Sequence, residues 1–282
     1  MMPGYDLHLH SSISDGVHNP TEVVHKAAEA GLSFISLTDH DSVGGIAEAL
    51  EAASAFPALT VIPGVEISTE SPGGEVHVLG YFIDYTHTGL LEALGRMRCS
   101  RESRARRMTE KLARLGYPVD WNRVQELAGE GSIGRPHIAQ ALLEKGYIET
   151  IKEAFTRFLT WGGPAYVERD KMTPEEAIAL ILEAGGLPVL AHPLISGDPE
   201  SMIAELKQAG LVGIEAYYKD YNQTEVRTLV GLARRYGLLT TGGTDYHGLD
   251  ANSEVPMGSS DVPPEAIEQL LDYAASRGLK RN

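Results

Sequence analysis

The amino-acid sequence has very little cysteine, few basic residues relative to acidic ones, and no long apolar run. Cys99 is the single cysteine among 282 residues, which excludes an internal disulfide and favours a reducing compartment. No stretch reaches about 18 consecutive apolar residues, so no transmembrane helix is expected. The first ten residues lack the basic and apolar segments of a signal peptide. We therefore expect a cytoplasmic protein that makes no membrane contact.

The shortage of basic residues limits the possible partners. There are 24 lysines and arginines against 39 aspartates and glutamates, a formal net charge of −15. Long DNA or RNA would be repelled on average, because phosphate backbones bind basic surfaces. A small phosphorylated substrate, or a short RNA, stays compatible because bound cations can invert the field locally. Hydrophobic residues at 43% and charged residues at 22% are ordinary for a folded globular protein.

Short apolar runs alternate with longer amphipathic stretches along most of the chain. The apolar runs predict seven strands, at Tyr5–Leu9, Phe34–Leu37, Thr60–Val65, Val76–Ile83, Leu187–Ala191, Val212–Ala216 and Leu238–Thr241. Helices are predicted between most of them, at Thr21–Ala30, Val43–Ala55, Pro174–Ala184, Glu200–Ala209 and Glu225–Tyr236. Strands that alternate with helices favour a parallel sheet, and seven such units favour an α/β barrel over an open sheet.

One region, residues 92–161, interrupts this alternation with helical patterns at Asn122–Ala128, Pro136–Lys145 and Ile151–Leu159. We predict a helical insertion domain over residues 92–161 that caps one end of a barrel domain formed by residues 1–91 and 162–282. A run of basic residues between Arg96 and Arg114 lies in this insertion. It is either a solvated helix face, with Glu102 and Glu110 as partners, or a means of attracting an anionic substrate.

Histidines and acidic residues recur where the predicted strands end. His8 and His10 are two apart on one strand, so both side chains point to the same face. Five strand ends carry such residues, and the side chains concerned are His8, His10, His40, Glu66, His192, Asp245 and His247. The carboxyl ends of parallel barrel strands meet at one rim, where active sites are found. Imidazole and carboxylate ligands suit zinc, manganese or iron, so this rim is a candidate metal site. His77 fits less well, because it lies near the start of its strand.

The order of these motifs resembles the polymerase and histidinol phosphatase (PHP) family. The resemblance rests on motifs spread over nearly the whole chain: His8-Leu9-His10, Ser14-Asp15-Gly16, Thr38-Asp39-His40-Asp41, Gly64-Val65-Glu66, Ala191-His192-Pro193 and Gly243-Thr244-Asp245-Tyr246-His247. It implies a distorted seven-stranded (β/α) barrel with two or three divalent metal ions. The implied fold agrees with the seven predicted strands.

The resemblance also implies a ligand set. A first metal would be held by His8, His10, Glu66 and Asp245, a second by Asp15, His40 and His247, and a third by Glu66, His77 and His192. Some members of the family have histidine in place of Asp15, and a carboxylate there favours manganese or iron over zinc. Asp39 and Asp41 either orient His40 and its neighbours or, at Asp41 or Ser42, cap a helix.

Two further segments, Gly134–Ala139 and Tyr166–Ile178, resemble a subgroup of 3′,5′-nucleoside bisphosphate phosphatases and 5′-3′ exoribonucleases. This resemblance implies hydrolysis of a phosphate monoester by a metal-bridging hydroxide, with Glu66 and Asp245 as catalytic residues. Arg135 and His137 would contact the substrate, and His137 could instead protonate the leaving group. Lys219 is a candidate for a second phosphate, although a solvated lysine explains it equally well. Cyclic phosphodiester hydrolysis, RNA trimming and an inactive metal-binding module are the alternatives.

Overall fold

The computed structural model describes residues 4–71, 74–129, 133–168, 172–249 and 255–279. These ranges contain seven strands: β1 (Gly4–Leu9), β2 (Leu32–Leu37), β3 (Thr60–Ser71), β4 (Gly74–Tyr81), β5 (Leu187–Leu190), β6 (Gly213–Tyr218) and β7 (Leu239–Gly243). The helices are α1 (Pro20–Glu29), α2 (Ile46–Ala53), α3 (Thr88–Arg114), α4 (Trp121–Ala128), α5 (Arg135–Glu144), α6 (Ile151–Ala154), α7 (Pro174–Glu183), α8 (Pro199–Ala209), α9 (Gln223–Tyr236) and α10 (Pro264–Ser276). A π-helix, Phe155–Leu159, continues α6. Helix α10 is an element that the sequence patterns did not predict.

The strands form one sheet in chain order, from β1 to β7, and the expected fully parallel arrangement is wrong at one place. Strand β4 runs antiparallel to both of its neighbours, with Val78 opposite Ile67 on β3 and opposite Leu190 on β5. The reason is the short connection from β3 to β4, since Ser71 already pairs with Gly74. A connection of that length permits only a hairpin, whereas parallel strands need a crossover of a dozen or more residues. The reversal brings the start of β4, and with it His77, to the rim where the parallel strands end.

The sheet forms a nearly closed barrel, because β7 lies beside β1. Buried Asp6 on β1 accepts hydrogen bonds from the Thr244 amide at 3.0 Å, the Thr244 hydroxyl at 2.6 Å and the Gly258 amide at 2.8 Å. A side chain on Gly243 would place its Cβ only 2.4 Å from the Cβ of His8, so this close approach requires glycine. The closure places the segment after β7 directly over His8.

The start of α7 follows the local sequence, whereas the start of α2 departs from it. Thr173 caps α7 and is bonded reciprocally with Glu176, as the sequence predicts. Helix α2, however, begins at Ile46 with Gly45 at the cap position, so the reading of Asp41 or Ser42 as a helix cap is wrong. Asp41 instead has a left-handed backbone, with φ of 50°, and accepts a hydrogen bond from the Ser68 amide at 2.8 Å.

Two hydrophobic cores lie along α3. Leu90 and Leu94, near its start, pack with the barrel strands and α7. Met108 and Leu112, nearer its end, belong to a separate core that joins α3 to α4, α5 and the π-helix. Helix α3 runs through residue 92 without a break. The division into a barrel domain and an insertion domain near residues 91 and 161 is therefore a proposal. None of the described helices is long and apolar enough to cross a membrane.

Candidate metal centre and active site

Four side chains converge at the carboxyl end of β1. The Nε2 atom of His8 lies 3.2 Å from Oε2 of Glu66 and 3.4 Å from Oδ1 of Asp245. The Nε2 atom of His10 lies 3.2 Å and 3.1 Å from the same two oxygens. The structure therefore brings together the four residues expected around the first metal.

A second group surrounds Asp15, on the loop that follows β1. His247 Nε2 lies 3.3 Å from Asp15 Oδ1, and His40 Nε2 lies 3.9 Å from Asp15 Oδ2. His10 Nδ1 is 3.9 Å from the same carboxylate, so His10 belongs to both groups. The family resemblance assigned His10 to the first group only, whereas in the structure its two ring nitrogens face different carboxylates.

The third group forms around Glu66. Its Oε1 atom lies 2.7 Å from His77 Nδ1 and 3.2 Å from His192 Nε2, while its Oε2 atom lies 3.0 Å from His40 Nδ1. Ligand atoms of His40, Glu66 and His77 lie within 4.8 Å of one another. All nine expected ligands thus lie at one rim, and His40 is nearer to the third group than the sequence indicated.

The donor set fits divalent cations. Several buried nitrogen and oxygen atoms of the cluster lack a well-directed hydrogen bond, among them His8 Nε2, His10 Nε2, His40 Nδ1, Asp15 Oδ1 and Glu66 Oε2. Buried polar atoms in this condition are costly unless something else satisfies them. Imidazole nitrogens and carboxylate oxygens are the ligands that zinc, manganese and iron share. We infer that these atoms face bound metal ions.

Ionisation in the cluster agrees with that inference. Burial by itself would raise the pKa of the Glu66 and Asp245 carboxyls, but the surrounding imidazoles hold both values well below the usual range. Burial would lower the pKa of His77 and His247, yet carboxylates raise both to about 10, Glu66 acting on His77 and Asp15 on His247. The carboxylates are therefore ionised and demand a positive partner, which metal ions would supply in competition with protons.

Glu215 is a candidate supporting residue that the sequence motifs did not indicate. It is fully buried on β6, and its Oε1 atom lies 2.9 Å from Nδ1 of His8. Its Oε2 atom accepts a hydrogen bond from the backbone amide of His192 at 2.9 Å. A carboxylate on one ring nitrogen fixes the tautomer and directs the other nitrogen at the metal. A glutamate inside a predicted strand was the available signal.

Further side chains orient the ligands. Asp39 accepts bonds from the Ser11 amide at 2.8 Å and the Ser14 hydroxyl at 2.7 Å, which fixes the loop that carries Asp15. Asp39, which was predicted to orient His40 or its neighbours, therefore positions the loop that carries Asp15. Tyr218, which the sequence reasoning did not single out, donates to Oδ2 of Asp245 at 2.9 Å.

Lys219 lies beside the same carboxylate. Its Nζ atom donates to the backbone oxygen of Asp245 at 2.9 Å and lies 3.5 Å from Oδ2 of that residue. The structure therefore places Lys219 where it supports a candidate metal ligand. A role in holding a second phosphate stays a prediction.

The backbone is in the left-handed region at two ligands. The φ angle is 24° at His192 and 48° at Asp245. Residues with side chains seldom adopt this region, and such conformations cost about 1–3 kcal/mol and concentrate at functional sites. Each follows the end of a strand, and the turn aims the side chain across the barrel mouth.

A cavity of about 220 Å³ opens beside His40, His77 and His247 and is also lined by three arginines, Arg101, Arg104 and Arg135. Arg135 pairs with Glu75 on β4. Arg101 donates to Asp41 and to the hydroxyl of Ser68. The basic residues between Arg96 and Arg114 therefore include both cavity-facing and exposed side chains. Arg101 and Arg104 face the cavity, while Arg106, Arg107 and Arg114 are exposed.

His137 lies on the other side of the α5 start from Arg135. It is buried, and its Nδ1 atom accepts a hydrogen bond from the Gly134 amide at 3.0 Å. It lines a second, larger cavity that also reaches Asp15. Residues 169–171, part of the segment Tyr166–Ile178, lie outside the described residues.

Comparison with known proteins identifies the architecture. The model of the PHP domain matches residues 6–168 of the chain, which is more than half of its length. The chain belongs to the PHP family. A crystal structure of a PHP-type protein from Bifidobacterium adolescentis, described as a metal-dependent phosphoesterase, superposes with a TM-score of 0.87. It is 29% identical and is matched over 99% of this chain and 98% of its own.

Relatives within this family carry three different activities in their names. A 5′-3′ exoribonuclease from Haemophilus influenzae is 35% identical over 88% of this chain and 91% of its own. A 3′,5′-nucleoside bisphosphate phosphatase from Chromobacterium violaceum is 33% identical over 93% and 94%. A phosphoribosyl 1,2-cyclic phosphate 1,2-diphosphodiesterase from Eggerthella lenta is 31% identical over 86% and 94%. This PHP chain is a metal-dependent phosphoesterase, and the alternative of an inactive metal-binding module is set aside.

Replacing Glu66 by alanine tests the metal assignment. Both oxygens of Glu66 face the ligand cluster, so Glu66→Ala is expected to lose metal and phosphoesterase activity together. Loss of a residue that only supports a ligand lowers metal affinity by up to roughly 100-fold, and the fall in Glu66→Ala should be larger. Metal content is measured by elemental analysis and activity by phosphate release. Glu51→Ala, an exposed carboxylate on α2, is the matched control. Retained metal and full activity in Glu66→Ala would contradict the assignment.

Replacing Glu215 by glutamine tests its supporting role. Glutamine keeps the shape but has one acceptor oxygen instead of two, so either His8 or the His192 amide loses its partner. We expect metal affinity to fall about 10- to 100-fold while the barrel stays folded. Metal titration and thermal unfolding measure the two effects, and Glu205→Gln on the exposed face of α8 is the control. Wild-type metal affinity in Glu215→Gln would show that Glu215 serves packing alone.

Proposed function

We propose that the chain hydrolyses the 3′-phosphate of nucleoside 3′,5′-bisphosphates. The observation that carries this proposal is the cavity lined by Arg101, Arg104 and Arg135 next to the candidate metal ligands. A substrate with two phosphates can place one at the metal centre and the other among these arginines. Guanidinium groups suit this task because they offer paired donors to phosphate oxygens. The similarity to the bisphosphate phosphatase of Chromobacterium violaceum also supports it.

The nine side chains of the rim are proposed to hold two or three divalent ions, of manganese, iron or zinc. Such ions supply Lewis acidity and make water acidic enough to act as a nucleophile near neutral pH. The carboxylates of Glu66 and Asp245, which their lowered pKa values keep ionised, would hold the ions and fix the positions of the neighbouring imidazoles.

His137 is proposed to act on the leaving group. Burial lowers its pKa, so the imidazole is neutral near pH 7. Its Nδ1 atom accepts from the Gly134 amide, which leaves the hydrogen on Nε2. A fixed N–H donor near the leaving ribose oxygen would stabilise the negative charge that develops there.

A 5′-3′ exoribonuclease is the second candidate, and a surface feature favours it. Trp161 is 53% exposed, and with Tyr166 it borders a depression that also contains Arg107, Lys111 and Arg114. Aromatic rings among basic groups are the usual means of binding single-stranded nucleic acid. Cyclic phosphodiester hydrolysis has only the relative from Eggerthella lenta in its favour.

A substrate panel separates these candidates. Phosphate release and product analysis are measured on a nucleoside 3′,5′-bisphosphate, the matching monophosphates, a cyclic phosphate and a short 5′-phosphorylated RNA. We expect the highest kcat/KM for the bisphosphate, with the 5′-monophosphate as product, because two phosphates use both the metal centre and the arginine cavity. A higher kcat/KM for the RNA or for the cyclic phosphate would replace this proposal with the corresponding alternative.

Replacing Arg135 tests the second phosphate position. A charge-assisted hydrogen bond is worth about 1.5–3 kcal/mol, so Arg135→Ala is expected to lower kcat/KM for the bisphosphate roughly 10- to 100-fold without loss of metal. Arg135→Lys should recover only part of the activity, because a lysine offers no paired donors. The loss should be smaller for an aryl phosphate that has a single phosphate group.

Arg123→Ala is the control for Arg135, because Arg123 lies in the same insertion and is paired with Glu144 away from the cavity. Glu75→Gln shows how much of the effect comes from the freed carboxylate that Arg135 normally pairs with. Equal losses on both substrates would assign Arg135 to the cleaved phosphate, and no loss on either would leave it a structural residue.

A further inference from the structure

The second cavity of the active-site region has a volume of about 740 Å³. It lies between the loop that carries Asp15 and the insertion helices α4 and α5. Asp15 and Pro136 line both this cavity and the smaller arginine-lined one. The start of α5 therefore separates two spaces that meet at a candidate metal ligand.

The two cavities differ in size in a way that matters for a nucleotide. Pockets for small molecules usually measure about 300–1,000 Å³. The arginine-lined cavity, at about 220 Å³, is smaller than that range, whereas the second, at about 740 Å³, lies within it. Only the larger of these two spaces therefore has the volume of a usual small-molecule pocket.

The larger cavity is more acidic than the smaller one, whose lining has three arginines and two carboxylates, Asp15 and Glu75. The charged side chains among the described lining residues of the larger cavity are Asp15, Glu48 and Glu126, all acidic. A phosphate would be repelled there, and a neutral group would not. Apolar side chains make up much of the remaining wall, namely Ile13, Val17, Leu127, Ile151 and Leu249. Gln140 adds a polar group that can bind a hydroxyl or a base edge.

We propose that this cavity is the nucleoside subsite, which takes the base and part of the ribose. The proposal rests on the proposed function and extends it. A nucleoside 3′,5′-bisphosphate has three branches on its ribose: the 3′-phosphate, the 5′-phosphate and the base. The site has three matching spaces: the metal centre, the arginine-lined cavity and the larger, partly apolar cavity. A continuing RNA chain would add a further phosphate, which the acidic wall disfavours.

The test compares a nucleoside 3′,5′-bisphosphate with the abasic ribose 3,5-bisphosphate, which keeps both phosphates and lacks only the base. The wild-type protein is expected to show a kcat/KM at least about tenfold higher for the compound with the base, since pocket contacts of this size discriminate to that extent. Val17→Trp and Leu127→Trp fill the cavity from opposite walls and should reduce this preference to near unity. Leu91→Trp, at an exposed position on α3 outside the cavity, should keep it.

Metal content and thermal unfolding are measured for each variant, so that a folding defect is recognised. The comparison of the two substrates in the wild-type protein needs no variant and decides the question if both substitutions prevent folding. Equal kcat/KM for the two compounds, or an undiminished preference in both folded tryptophan variants, would overturn the nucleoside subsite and leave the phosphatase function standing. Hydrolysis of neither compound by the metal-loaded wild type would overturn the proposed function itself.

Discussion

The carboxylate of Glu66 is fully buried and lies within 3.2 Å of ring nitrogens from five histidines, His8, His10, His40, His77 and His192. An isolated carboxylate buried to this extent would cost several kcal/mol, so it is stable only with positive charge around it. The five imidazoles arrive from four separate parts of the sheet. The barrel must therefore hold its strands in one arrangement for the cluster to exist, and the metal ions inferred here would supply much of the compensating charge.

Two features of the sheet produce that arrangement. The reversal of β4 turns a strand start toward the rim and adds His77 to the cluster. The closure of β7 against β1, held by Asp6 and permitted by Gly243, brings Asp245 and His247 over the two histidines of β1. Both features determine where the candidate metal ligands lie. A regular parallel barrel would leave His77 at the opposite end, and an open sheet would separate its first and last strands.

The helical segment from α3 to the π-helix determines what lies around the candidate metal centre. Its helix α3 contributes Arg101 and Arg104 to the smaller cavity, and the start of α5 divides that cavity from the larger one. An acidic chain can therefore present a cationic pocket, because a few inward arginines act at short range while distant surface charges are screened by salt. Relatives with three different names share this barrel, which agrees with substrate choice being made by the walls of the site and not by the metal ligands.

The sequence by itself determined the strands and seven of the candidate ligands, and its resemblance to the PHP family added Asp15, His77 and the distorted barrel. Apolar periodicity marks elements locally, and histidine or carboxylate at a strand end is visible without any tertiary contact. The direction of β4 follows from its hairpin with β3, which apolar periodicity does not reveal. Arg101 looks like its exposed neighbours in the sequence, and only the packing of α3 turns it toward the cavity. Glu215 contacts His8 across 207 residues of chain. The hydrogen bond from Lys219 to the backbone oxygen of Asp245 is likewise a contact that only the folded structure shows. Local sequence patterns specify which face of a helix or strand a side chain occupies. Contacts between residues distant in sequence depend on how β7 meets β1 and how the helices from α3 to α6 pack, and both are properties of the tertiary structure alone.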